Sequence, residues 1–159
     1  MITNPWAAPG RFYKGNLHCH STLSDGLLPL DEVVSRYRAQ GYDFLSVTEH
    51  NMIADTSMYR DEHFTTLFGT EIDAPMRPGS YVRLINAVGL PLDFPIDRTL
   101  TLPEIARQAR AAGAFVAMAC PAWCGTTSQD AIDVDALHAV ETYSVTCAAG
   151  NDRGSSWHL

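Results

Sequence analysis

The chain has 159 residues, 46% of them hydrophobic and 18% charged, with a formal net charge of −7. That is the composition of one globular domain with a sizeable core, not of a disordered segment. A surface this acidic releases no counterions on a phosphate backbone, so duplex nucleic acid is excluded as a partner of the surface as a whole, and a cation suits the clustered acids better.

The N-terminus Met1-Ile2-Thr3-Asn4-Pro5-Trp6 has no basic stretch leading into an apolar run, hence no signal peptide. The longest uncharged apolar stretch, Ala111 to Trp123, is too short to span a bilayer. Cys19, Cys120, Cys124 and Cys147 do not form a disulfide framework, and reduced thiols point to a cytoplasmic location. Residues 11–20 read as a strand ending in the polar turn Ser21-Thr22-Leu23-Ser24-Asp25-Gly26. A helix follows: Pro29 suits its first turn, Asp31 and Glu32 favour the positive end of its dipole, and Gly41 stops it. Its apolar face carries Leu30, Val33, Val34 and Tyr37 at helical spacing.

A short strand from Phe44 to Thr48 then runs into Glu49-His50-Asn51, and a third from Phe64 to Phe68 ends at Gly69-Thr70-Glu71. A fourth covers 81–88. Thr101-Leu102-Pro103-Glu104 is a capping box, opening a helix with Leu102, Ile105, Ala106 and Ala109 on one face and Gly113 at its end. Phe115 to Ala119 is a buried strand leading to Cys120-Pro121, and a last strand includes Val140 to Val145. Alternating strands and helices predict an α/β layout of parallel strands with right-handed crossovers. The polar residues cluster where strands end, as catalytic residues do in barrels of this kind.

The chemistry starts at His18-Cys19-His20. Alternate side chains of an extended segment share a face, so both imidazoles can grip one divalent ion, and nitrogen donors of this kind suit Zn, Fe, Ni or Mn. Asp25 follows five residues after His20, and His50 and Glu71 each come directly after an apolar strand. Alone, each has a plain structural alternative: a histidine bonded to a carbonyl, a turn-capping aspartate, a solvated glutamate. Together they are the donor set of a site for two or three ions.

His18-Cys19-His20-Ser21 with Ser24-Asp25-Gly26, then Thr48-Glu49-His50-Asn51, then Gly69-Thr70-Glu71, resembles the opening motifs of the PHP (polymerase and histidinol phosphatase) superfamily in order, spacing and neighbouring residues. The resemblance extends more weakly to about Tyr143. It implies an incomplete, distorted (β/α)7 TIM-like barrel with its metal site at the C-terminal ends of the strands. It also implies two or three divalent ions (Zn, Mn or Fe), and hydrolysis of a phosphate ester of a small molecule or nucleotide by metal-bound hydroxide, with no other catalytic group. On that resemblance His18 and His20 bind one ion, Glu71 bridges two, and Asp25 and His50 serve another.

The chain departs from the family pattern in four places. Glu49 stands where the family writes Asp, next to the ligands and not among them. Cys120 stands where the family writes the His of His-Pro; a thiolate can replace imidazole on zinc, and a buried packing thiol is the other reading. Leu84 occupies a place where many members carry a further His. The family's closing Asp-x-His pair has no counterpart: Asp152 falls in a loop, and His158, next to the final residue, in the first turn of a helix begun at Ser155. Residues 1–159 therefore read as the N-terminal part of a PHP domain, weak or inactive alone. A non-catalytic metal-binding or regulatory module, and the PHP module of a DNA polymerase, are the alternatives.

Of the other candidates, His63 reads as a solvated loop residue and His138 as structural, whereas Glu141 has either a site role or a strand role. The spacing of Cys120 and Cys124 favours packing over a metal or redox clip, and Arg77 and Arg83 are candidates to meet a substrate phosphate.

Overall fold

A computed structural model describes Ala7 and residues 9–151. The readings of Asp152, Ser155 and His158 fall outside the described residues. The elements in chain order are β1 (Gly15–Asn16), α1 (Leu30–Ala39), β2 (Phe44–Val47), a 3-10 turn (Ser57–Tyr59), β3 (Thr65–Pro75), β4 (Val82–Val88), α2 (Leu102–Ala111), β5 (Phe115–Ala119), α3 (Pro121–Cys124), α4 (Ser128–Val134), β6 (Ala139–Val140) and α5 (Val145–Asn151).

The helices follow from their spacing. Val33 and Val34 of α1 are buried, with Leu30 and Tyr37 packed beside them, and Gly41 leaves the helix at φ +72°. In α2 the Glu104 carboxylate accepts from the Thr101 N–H and hydroxyl at 2.8 and 2.6 Å, and Leu102, Ile105, Ala106 and Ala109 are almost completely buried. They pack on Ile72, Ile85, Val116 and Met118 of β3, β4 and β5. Each fully buried large aliphatic side chain there contributes about 1.5–3 kcal/mol.

The six strands form one sheet in the order β1-β2-β3-β4-β5-β6. This mixed α/β sheet is a half-barrel, consistent with part of a TIM-like barrel. It departs from the all-parallel expectation, because β4 pairs antiparallel to both β3 and β5 while the other pairings are parallel. Only residues 76–81 join β3 to β4. A parallel crossover needs a dozen or more residues, so the chain turns back as a hairpin, with Gly79 at φ +75° in the turn.

Three strand boundaries are also corrected. The first strand is confined to Gly15–Asn16. The third does not stop before Gly69 but continues to Pro75, since residues 69–75 find hydrogen-bonding partners along β4. Gly69 permits this close approach, because a Cβ there would lie 2.5 Å from the Ser46 Oγ. The last strand ends at Val140, and Val145 opens α5. Among the described residues no helix is long and apolar enough to cross a membrane.

Candidate metal centre

The donor residues follow the C-terminal ends of the strands that run in a common direction. His18 and His20 come after β1, His50 after β2, Cys120 directly after β5 and Glu141 directly after β6. Glu71 is the exception and corrects the expectation of a strand end. It lies within β3, opposite Asn86 of β4, and reaches the cluster through an isolated parallel bridge between its backbone and that of His50. Ile72 and Ala74 point into the core, so Glu71 projects from the other face of the strand.

The six sequence candidates all converge. Glu71 Oε2 lies 3.4 Å from His18 Nε2, 3.2 Å from His20 Nε2 and 3.5 Å from His50 Nε2. Asp25 meets His20 Nδ1 at 3.5 Å and His50 Nε2 at 3.4 Å. The His20 and His50 rings stack with centroids 4.6 Å apart. On the other side His18 Nδ1 is 2.9 Å from Glu141 Oε1, and the Cys120 N–H donates to Glu141 Oε2 at 2.8 Å. Among the described residues three groups have ligand atoms mutually within 4.8 Å: His18, His20 and Glu71; His20, Asp25 and His50; and His18, Cys120 and Glu141.

This donor set fits divalent cations. The His18 and His20 Nε2 atoms stand 3.2 Å apart, and two neutral lone pairs that close repel unless a proton or cation lies between them. Glu71 is only 2% exposed, and its Oε1 is buried with no hydrogen-bond partner; a buried carboxylate oxygen left so is costly.

The charges are strongly coupled. Burial opposes protonation of His18, but the hydrogen bonds and charges of Glu141 and Glu71 outweigh it and raise its pKa to about 10. Burial likewise opposes ionisation of Glu71, but hydrogen bonds and charge from His18 and His20 lower its pKa to about 2. Burial, with the negative charge of Glu141 and Glu71, pushes the Cys120 thiol up.

The signs of these shifts set a test on metal-free protein. His18, with its folded pKa raised from 6.5, contributes stability that is complete below pH 6.5 and lost as pH rises through about 10. Glu71, with its pKa depressed from 4.5, contributes stability that is complete above pH 4.5 and lost as pH falls through about 2. The melting temperature of metal-free protein should therefore fall as pH rises from neutral towards 10, and His18→Gln should flatten that fall. Parallel profiles for the two proteins would contradict the assignment.

A rigid support lies beneath the donors. Glu49 is fully buried; one carboxylate oxygen accepts from the Ser21 N–H at 2.9 Å and from the Ser21 hydroxyl, and the other accepts from the Ser24 hydroxyl. It thereby ties down the turn that presents Asp25 and flanks His20. Gly26 closes this turn by donating to the Ser21 carbonyl at 2.8 Å, and a Cβ at Gly26 would collide with the His20 carbonyl at 2.4 Å.

Other candidates stand apart from the cluster. His63 is exposed at the opposite end of the sheet, beside an open depression of about 690 Å³ shared with Arg11, Tyr13 and Asp43. The His138 Nδ1 accepts from the Val116 N–H at 3.1 Å. Arg83 is buried, with its guanidinium held by Asp130 and the Gly125 carbonyl, so it is engaged within the fold. Arg77 lies on the exposed β3–β4 turn.

Two features had no signal in the sequence. Cys147, carried by α5 just beyond the expected strand, brings its Sγ to 3.5 Å from that of Cys120. Asp73, two residues beyond Glu71 on β3, bonds the Asn51 side chain and, at 2.8 Å, Arg98.

The chain has a PHP-like fold, with a cluster of histidines and carboxylates at one end of its sheet. No family model matches the chain. Among solved structures it is similar to an amidohydrolase from Chromobacterium violaceum with bound sulfate and no metal (TM-score 0.66, 15% identity, 86% of this chain and 80% of that one). It is also similar to a protein from Bifidobacterium adolescentis assigned as a metal-dependent phosphoesterase (TM-score 0.64, 14% identity, 86% and 83%). A third is a two-domain protein from Bacteroides vulgatus containing an assigned PHP-like metal-dependent phosphoesterase (TM-score 0.58, 24% identity, 82% and 44%). In sequence, 41 residues are 51% identical to a 5'-3' exoribonuclease from Haemophilus influenzae; the match spans 26% of this chain and only 15% of the relative's length.

Proposed function

We propose that the chain belongs to a (β/α)7 PHP domain acting as a metal-dependent phosphoesterase on a small phosphorylated molecule or nucleotide. One observation carries the reading: a buried carboxylate, Glu71, lies within 3.5 Å of three imidazole nitrogens while its second oxygen has no partner. The metal-dependent phosphoesterase assignments of two fold neighbours support it. The local match to a 5'-3' exoribonuclease brings a nucleotide phosphodiester within the same chemistry.

In this reading His18, His20 and Glu71 would hold one ion and His20, Asp25 and His50 a second, while His18, Cys120 and Glu141 would take a third only in place of the His18–Glu141 hydrogen bond. Zn, Mn and Fe all suit such nitrogen and carboxylate donors. Ions bound there lower the pKa of a coordinated water towards neutrality and offset charge on phosphoryl oxygens. The protein's own part is orientation. Glu141 fixes the His18 ring through Nδ1, Glu49 fixes the turn bearing Asp25, and Glu71 supplies shared negative charge.

The test is metal content and turnover of an aryl phosphate with added Mn. Stoichiometric metal and weak metal-dependent turnover are expected; metal below about a tenth of an ion per chain would overturn the reading. Cys120 gives a finer check. As a thiolate ligand it should be replaceable by the family's imidazole, so Cys120→His keeps or raises metal content while Cys120→Ser lowers it. Equal content in all three proteins would leave Cys120 a packing residue.

A further inference from the structure

We propose that Cys120 and Cys147 form a reversible redox pair that controls metal retention, a consequence that rests on the metal reading above. Their sulfurs are 3.5 Å apart, with the Cys147 thiol directed at the Cys120 sulfur. The other two cysteines are also free thiols.

The surroundings of the two sulfurs differ. Cys120 is half-buried and lies with His18 and Glu141 in a group of donors close enough to share an ion. Cys147 is 7% exposed and belongs to none of the donor groups found among the described residues, and its thiol meets the Cys120 sulfur. A disulfide requires the sulfurs to close to about 2.05 Å, a movement of roughly 1.5 Å. Both residues sit at the edges of short elements: Cys120 just before the four-residue α3, and Cys147 in the first turn of the seven-residue α5.

The oxidant class is a peroxide, small and uncharged enough to reach a half-buried thiol. Hydrogen peroxide takes two electrons from Cys120, giving a sulfenic acid and one water. The Cys147 thiol then attacks that sulfur, the S–S bond forms, and the hydroxyl leaves with the thiol proton as a second water. Two thiols and one peroxide thus become one disulfide and two waters, and a dithiol reverses the step. Bonded to Cys147, the Cys120 sulfur no longer has a thiolate to offer the ion beside His18 and Glu141.

The experiment uses the 159-residue chain loaded with zinc, exposed to hydrogen peroxide at mildly alkaline pH and then to a dithiol. Free thiols should fall from four by one pair, peptide mapping should find Cys120 joined to Cys147, and bound zinc should drop at least about two-fold, with recovery on reduction. In Cys147→Ser and Cys147→Ala the disulfide cannot form, so Cys120 should pass on to its sulfinic acid and the zinc lost should not return on reduction. Should either variant fail to fold, differential alkylation of Cys120 and Cys147 in the wild type gives the same answer. Both thiols remaining free, or Cys120 passing to its higher acids with Cys147 untouched, would overturn the pair; a disulfide that leaves zinc unchanged would overturn the control. A reduced wild type that holds no zinc would remove the metal reading and the control with it, and the thiol count alone would then decide the pair.

Discussion

Replacing Glu71 by Gln should strip most of the bound metal and lower aryl phosphate turnover by at least about 100-fold, more than Asp25→Asn does. The difference follows from position. One Glu71 oxygen is within 3.5 Å of His18, His20 and His50 together, so loss of its charge weakens two donor groups at once. The residue is buried in the middle of β3, where water cannot substitute for the lost carboxylate oxygen. Asp25 meets His20, His50 and the Ser24 hydroxyl, and its side chain is 66% exposed, so solvent can stand in for it. Elemental analysis of the two variants beside wild type separates the cases. Full metal content in both would end the shared role given to Glu71.

The local parts of this site were legible in the sequence because they depend on short spacings. Two histidines one residue apart on extended backbone must share a face, and His18 and His20 do meet Glu71 together. The capping residues and apolar spacing of α2 depend only on a helical turn, and its four expected core residues are the buried ones. What escaped the sequence depends on partners distant in the chain. Gly69-Thr70 has the look of a strand end, yet β4 extends the strand past it by hydrogen bonding that no local pattern announces. Val140 to Val145 has β-branched residues, but pairing with β5 stops at Val140 and the chain enters α5. That change of element puts Cys147 beside Cys120, so the sulfur contact and the misread strand have one cause. Glu71 was legible as a site candidate and misplaced as a strand end, since its chemistry is local and its pairing is not.

Glu49→Ala should destabilise the protein by about 2–5 kcal/mol, the range expected when several buried donors lose their acceptor. At this chain length that corresponds to a fall in Tm of roughly 5–15 °C. Glu49 is fully buried and takes hydrogen bonds from the Ser21 N–H, the Ser21 hydroxyl and the Ser24 hydroxyl, so truncation leaves three donors facing a cavity. Ser24→Ala removes one of those bonds and should cost about 1 kcal/mol. Glu49→Gln keeps the volume and turns one acceptor oxygen into an NH2 donor, which the Ser24 hydroxyl can meet by accepting, so it should cost less than Glu49→Ala. The functional consequence runs through geometry. The clamped turn carries Asp25 and flanks His20, and loosening it should weaken metal at the His20, Asp25 and His50 group before the group built on His18 and Glu141. A metal titration of Ser24→Ala, which keeps the fold, isolates that effect from stability. If Ser24→Ala binds its full complement of metal at wild-type affinity while Tm falls, the Glu49 clamp serves the fold alone and has no part in positioning Asp25.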